Sequence, residues 1–169
     1  MSLPSVIRTE RLVLRPFEMG DLDGYLAYYT GPRTAGVGGP KPRRAVVERF
    51  HAMAGQWSLR GFGRYAVTTG GAAFGHVGPL QVEDGDPVEM TWTLWDGSKE
   101  GRGYATEAAR AVLNAWREGP LAAFVHPSNA ASLRLAAPLG FEEDSSLTPP
   151  PAIPEAATFR WTNNPAVPV

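Results

Sequence analysis

Val88-Glu-Met-Thr-Trp-Thr-Leu-Trp95, then Glu100-Gly-Arg-Gly-Tyr-Ala-Thr-Glu107, then Leu121-Ala-Ala-Phe-Val125 is the stretch whose reading decides the fold. The first segment alternates as a strand does, with Glu89, Thr91, Thr93 and Trp95 on one face and Val88, Met90, Trp92 and Leu94 on the other. The glycine-bearing turn opens a helix predicted over residues 104–118. Ala105, Ala108, Ala109, Val112, Leu113 and Trp116 form its apolar stripe, and Glu107, Arg110, Asn114 and Arg117 point outward. Gly119-Pro120 ends that helix, and residues 121–125 read as a short buried strand. A helix crossing between two strands places them side by side and parallel.

Working outward, residues 64–69, a Gly70-Gly71 turn and residues 72–80 read as a β-hairpin leading into this unit. Toward the N-terminus, residues 11–17 form a first strand. Asp21 caps a helix carrying Leu22, Tyr25, Leu26 and Tyr29, residues 31–40 form a loop, and a second helix runs from near Pro42 to about Leu59. Toward the C-terminus, Ser128 or Asn129 starts a short helix closed by Gly140. Residues 141–147 and 157–162 pair as two last strands across a proline-rich stretch, 148–154. The expectation is an α/β (α+β) chain forming one three-layer domain over residues 1–169. Its central sheet is mixed and mostly antiparallel, and its fourth and fifth strands, 88–95 and 121–125, are parallel.

Composition narrows the function. The 169 residues carry a formal net charge of −1, so no strong field draws the chain to nucleic acid or to a membrane. There is no cysteine, which excludes a disulfide framework, a thiolate metal site and a cysteine nucleophile. No apolar run reaches the length of a membrane span, and residues 1–10 lack the apolar core of a signal peptide, so a cytoplasmic protein is expected.

The turn before the 104–118 helix carries the chemistry. The first N–H groups of a helix have no intrahelical partner, and the positive end of the helix dipole stands behind them, so an anion fits there. Gly101 and Gly103 let a ligand approach the backbone. A dinucleotide fingerprint needs a third glycine where Thr106 stands, and a P-loop needs a longer spacing ending in Gly-Lys-Ser/Thr. From spacing alone, an anion site and a simple turn capped by Ser98 or Thr106 both remain open.

Gly101-Arg-Gly-Tyr-Ala-Thr-Glu-Ala108 resembles the acetyl-CoA motif of the GNAT acyltransferase superfamily, and Asn129-Ala-Ala-Ser-Leu-Arg-Leu-Ala-Ala-Pro-Leu-Gly-Phe141 resembles its second signature. Arg8-Thr-Glu-Arg-Leu-Val-Leu-Arg-Pro-Phe17 is similar to the start of the ribosomal-protein-alanine N-acetyltransferase branch. The resemblance implies acetyl-CoA as co-substrate, with no metal, and a diphosphate held by Gly101, Arg102, Gly103, Tyr104, Ala105 and Thr106. It implies that the strands 88–95 and 121–125 splay, so that the pantetheine arm lies along Thr93, Leu94 and Trp95, with Asn129 hydrogen-bonding it. Ser132 matches a serine near the cofactor sulfur, and Ala136 stands where other branches have a tyrosine acid. Glu100 departs from the family's Gln or Arg, and Pro138 falls near the end of the short helix.

Glu89 stands where such enzymes often carry a basic glutamate, with His76 and His126 as rivals. The expected reaction is direct attack by a primary amine, on a small molecule or a protein N-terminus, with Glu89 as base and Ser132 stabilising the leaving thiolate. The contrasting reading is a non-catalytic acyl-CoA-binding sensor. Tyr28, Tyr29 and Arg33 are candidates for the acceptor wall and residues 148–154 for a lid, in a monomer or a homodimer.

Overall fold

A computed structural model describes residues 3–163; the expected domain, 1–169, also includes residues 1–2 and 164–169, which lie outside the described residues. In chain order the strands are β1 (Ile7–Arg8), β2 (Val13–Arg15), β3 (Tyr65–Thr68), β4 (Gly75–Leu80), β5 (Glu89–Leu94), β6 (Leu121–Val125), β7 (Glu142–Glu143) and β8 (Ala157–Trp161). The helices are α1 (Leu22–Tyr29), α2 (Arg43–Arg60), α3 (Tyr104–Ala115) and α4 (Ala130–Ala136). All eight strands join one sheet in the order β1-β2-β3-β4-β5-β6-β8-β7. Every neighbouring pair is antiparallel except β5–β6.

Strand alternation sorts the side chains onto two cores. Tyr65, Val67, Val77 and Met90 face α3, where Ala108, Ala109, Val112 and Leu113 cover them. Ala66 and Trp95 face Tyr25, Tyr29, Val46 and Phe50 of α1 and α2. The α3 stripe is as read, and burying each of its large side chains contributes roughly 1.5–3 kcal/mol. The helix ends at Ala115, three residues early, because Trp116 turns extended and its ring N–H donates to the Gly119 carbonyl at 2.8 Å. Left-handed glycines close α2 at Gly61 and the turn after α4 at Gly140. Pro138 shortens α4, which passes into a 3-10 turn at Ala137–Leu139.

Several local expectations change. Asp21 does not cap α1 through its side chain. Its carboxylate is drawn inward by Arg15, at 2.8 and 2.9 Å, and by the N–H groups of Glu18 and Ala73. Burial pushes its pKa up, but those donors outweigh burial and the net shift is downward. The 70–71 turn is longer than a two-residue hairpin, since β3 ends at Thr68 and β4 starts at Gly75. The strand read over 141–147 pairs only at Glu142–Glu143, and the 31–40 loop contains a 3-10 segment, Pro32–Val37. Glu107, read as outward, is held by Thr9 and Arg11.

The consequence for function is the β5–β6 junction. Only Glu89 and Ala122 are paired there, with the Ala122 N–H donating to the Val88 carbonyl at 2.8 Å. Beyond that point the two strands diverge, and the sheet opens toward the start of α3.

Candidate active site

The turn before α3 forms a cradle of backbone N–H groups. Gly101 and Gly103 have φ of 72° and 78°, a left-handed conformation costly for a residue with a side chain. Gly103 is the N-cap of α3, and the first intrahelical bond runs from the Glu107 N–H to the Gly103 carbonyl at 3.0 Å. The N–H groups of Tyr104, Ala105 and Thr106 therefore precede the helical ladder and converge at its positive end. Arg11 fixes this geometry from the far edge of the sheet. Its guanidinium donates to the Arg102 carbonyl at 2.9 Å and to Glu107 at 2.6 Å, and it lies 4.6 Å from the Tyr104 ring centroid.

From this cradle a groove of about 760 Å³ runs between β5 and α4. Of the expected cofactor contacts, it brings together Thr93, Leu94, Gly101, Gly103, Tyr104, Ala105, Thr106 and Asn129, and Ser132 lies on the same wall. Arg102 and Trp95 do not line it. The Arg102 side chain is exposed, and its one hydrogen bond among the described residues is through its carbonyl. Trp95 is buried; its N–H donates to Phe74, its carbonyl accepts from Arg33 at 2.6 Å, and its ring N–H donates to His76 at 3.0 Å.

Strand alternation locates the main-chain groups left for a ligand. The Trp95 N–H points toward β4 and the Val88 carbonyl toward β6, so the backbone groups of Trp92 and Leu94 face the opening. Trp92 packs with its ring 5.7 Å from that of Phe141, and it also lines the groove.

Asn129 caps α4, its side chain accepting from the Ser132 N–H at 3.2 Å. The Ser132 hydroxyl makes no hydrogen bond among the described residues and is free to face a ligand.

Glu100 finds a physical account that the chain alone does not offer. Arg33, from the loop after α1, ion-pairs with Glu100 while its other nitrogen holds the Trp95 carbonyl. The guanidinium also lies 5.4 Å from the Tyr28 ring centroid. Arg33 thus offsets the Glu100 carboxylate beside the cradle and ties the loop after α1 to it. Tyr28 and Arg33 line the groove, whereas Tyr29 is buried in the core and no residue of 148–154 reaches the lining.

Glu89 sits at the apex where the strands part, opposite Ala122. The residue is half-buried, but its carboxyl lies deep enough for burial to raise its pKa from 4.5 to about 7, opposed by the buried Arg64 guanidinium. That value suits a base working near neutrality. It lies on the α1–α2 face of the sheet and does not line the groove itself.

The rival histidines separate clearly. Burial first, then Arg64 and Arg49, hold the His76 pKa well below its usual value, and its Nδ1 accepts from Trp95; it is a neutral core residue. His126 is half-exposed and bonded to Ser128 and Glu155. Among the described residues no cluster of side chains is placed to hold a metal ion, and no helix is long and apolar enough to cross a membrane.

Known proteins share this fold. The profile of the acetyltransferase (GNAT) domain matches residues 11–142. An acetyltransferase from Agrobacterium tumefaciens str. C58 superposes with a TM-score of 0.84 at 33% identity, covering 95% of each chain. An aminoglycoside acetyltransferase in complex with coenzyme A shares the fold at a TM-score of 0.70 and 18% identity, over 90% of this chain and 95% of that one. A ribosomal-protein-S5-alanine acetyltransferase from Vibrio fischeri does so at 0.69 and 16% identity, over 98% of this chain and 100% of that one. No curated protein matches significantly.

Proposed function

We infer the reaction from a premise that the domain match and the 33% identical relative establish: this chain belongs to the acetyltransferase (GNAT) family. Within it we assign an N-acetyltransferase that moves an acetyl group from acetyl-CoA to a primary amine by direct attack. The observation that carries this reading is the groove. It joins an anion cradle at the start of α3 to a strand whose main chain is left unpaired where β5 and β6 diverge. The N–H groups at the helix start suit a diphosphate, and the unpaired strand backbone suits an amide-bearing arm. When bound, acetyl-CoA supplies an activated acyl carbon.

The protein's residues do the rest. The N–H groups of Tyr104, Ala105 and Thr106 take the diphosphate, with Gly101 and Gly103 giving clearance. Leu94 and Trp92 offer main-chain partners to the arm and Thr93 lines its path, while the Asn129 amide hydrogen-bonds it from the α4 side. Glu89, with its pKa near 7, takes the proton from the attacking ammonium through water, since the amine must be neutral to attack. Ser132 donates its hydroxyl proton in a hydrogen bond to the departing thiolate; a serine hydroxyl is too weak an acid to surrender it. The acceptor enters past Tyr28 and Arg33 and is a small-molecule amine or a protein N-terminus.

The test joins calorimetric binding of acetyl-CoA to thiol release across a panel of amines. Binding with amine-dependent release is expected. Tight binding without release for any amine would instead make the chain an acyl-CoA sensor. In Ser132→Ala, turnover should fall about tenfold or more while acetyl-CoA affinity stays near normal.

A further inference from the structure

Between β6 and α4 the chain turns through His126-Pro127-Ser128, and three side chains meet there in an arrangement that the amine-transfer reaction does not use. The Ser128 hydroxyl lies 2.6 Å from His126 Nδ1, and the Ser128 backbone N–H donates to the same nitrogen at 3.1 Å. A backbone N–H can only donate, so Nδ1 carries the lone pair and the ring proton sits on Nε2. Nε2 in turn lies 2.9 Å from a carboxylate oxygen of Glu155, which reaches in from the connector before β8. A hydrogen bond to its own backbone first, then that His126 contact, hold the Glu155 carboxyl below the usual range. The outcome is a hydroxyl aimed at an imidazole nitrogen, with the far side of the ring oriented by a carboxylate. These are the three parts of an activated nucleophile, joined through Nδ1 rather than Nε2. Ser128 is exposed to water and lines the same groove as Asn129 and Ser132.

We propose that Ser128, His126 and Glu155 form a second acyl-transfer centre on the groove wall, which hydrolyses the acyl thioester through an acyl-Ser128 ester when no amine is present. This rests on acetyl-CoA as the groove's ligand. In the first half, Ser128 Oγ bonds to the acyl carbon and its proton passes to His126 Nδ1. The carbon–sulfur bond breaks, and the thiolate takes that proton. In the second half, a water oxygen bonds to the acyl carbon and gives a proton to Nδ1; the ester bond breaks, and Ser128 Oγ recovers the proton. The sum is thioester plus water giving carboxylic acid plus thiol.

The experiment incubates the full chain with acetyl-CoA and no amine, following thiol release and the intact protein mass, with peptide mapping of any adduct. The proposal expects slow thiol release and one acetyl group on Ser128. Ser128→Ala should lose the adduct and most of the release. Glu155→Gln should lower amine-free release about tenfold and leave amine-dependent transfer unchanged. Equal amine-free release in wild type and Ser128→Ala, or an adduct mapped elsewhere, overturns the proposal while amine transfer stands. Failure to bind acetyl-CoA by calorimetry would instead remove the reading on which it rests.

Discussion

Glu89 is the residue at which structure and chemistry meet most directly, because one burial has two measurable effects. With a pKa of about 7, it must lose its proton to act, so kcat/KM for amine acetylation should rise with pH through about 7. Glu89→Gln should lower the rate and flatten that limb with little change in acetyl-CoA affinity; an unaltered profile would remove Glu89 as base. Stability carries the opposite sign. The folded carboxyl keeps its proton to a higher pH than the unfolded one, so the fold loses stability as pH rises from about 4.5 to 7. The loss is of order 1–3 kcal/mol, below the full conversion of the shift because the residue is only half-buried. Glu89→Gln should therefore melt higher than wild type at pH 8 and show no such slope, as thermal denaturation against pH would reveal.

Arg33 and Glu100 make a second case at this scale. If Arg33 offsets the carboxylate beside the diphosphate, Arg33→Ala should weaken acetyl-CoA binding about tenfold, ~1.4 kcal/mol. Glu100→Gln in the Arg33→Ala background should recover most of it. A double mutant as weak as the single one would show that Arg33 acts in some way other than by pairing with Glu100.

Among the elements, the turn into α3 carries the proposed binding function in its backbone geometry. Gly103→Ala forces a side chain into a left-handed conformation, at a cost of roughly 1–2 kcal/mol. It also disturbs the N–H groups that follow. Denaturant midpoint and acetyl-CoA affinity should both fall, whereas a stability loss with intact affinity would place the diphosphate elsewhere. The helix was legible because its apolar stripe repeats at helical spacing and its two glycines stand together. Its end was not, because Trp116 leaves the helix to hydrogen-bond Gly119, a local choice that hydrophobic pattern does not encode. Asp21 shows the same limit: the position fits a cap, but the half-buried Arg15 outcompetes the helix for its carboxylate.

For the whole molecule, a ligand in the groove would bridge β5, the α3 turn and α4. At a hundredfold excess over Kd, acetyl-CoA should add about 2.7 kcal/mol to the unfolding free energy. For a chain of this size that is roughly 5–10 °C in Tm. A scan showing no shift at saturating concentration would contradict the groove assignment.

The chain by itself determined the order of elements from β2 onward, the parallel pair, and where the α3-turn glycines, Asn129, Ser132 and Glu89 stand. Each of these is written in local periodicity, in turn chemistry or in a contiguous motif. Tertiary structure alone decided the partners of those residues. The Arg33–Glu100 pair, the Arg11 hold on the α3 turn, the His126–Glu155 contact and the burial that raises the Glu89 pKa join positions far apart in sequence. Charges and hydrogen bonds act through space, and folding sets the distance and the dielectric between them; residue order sets neither.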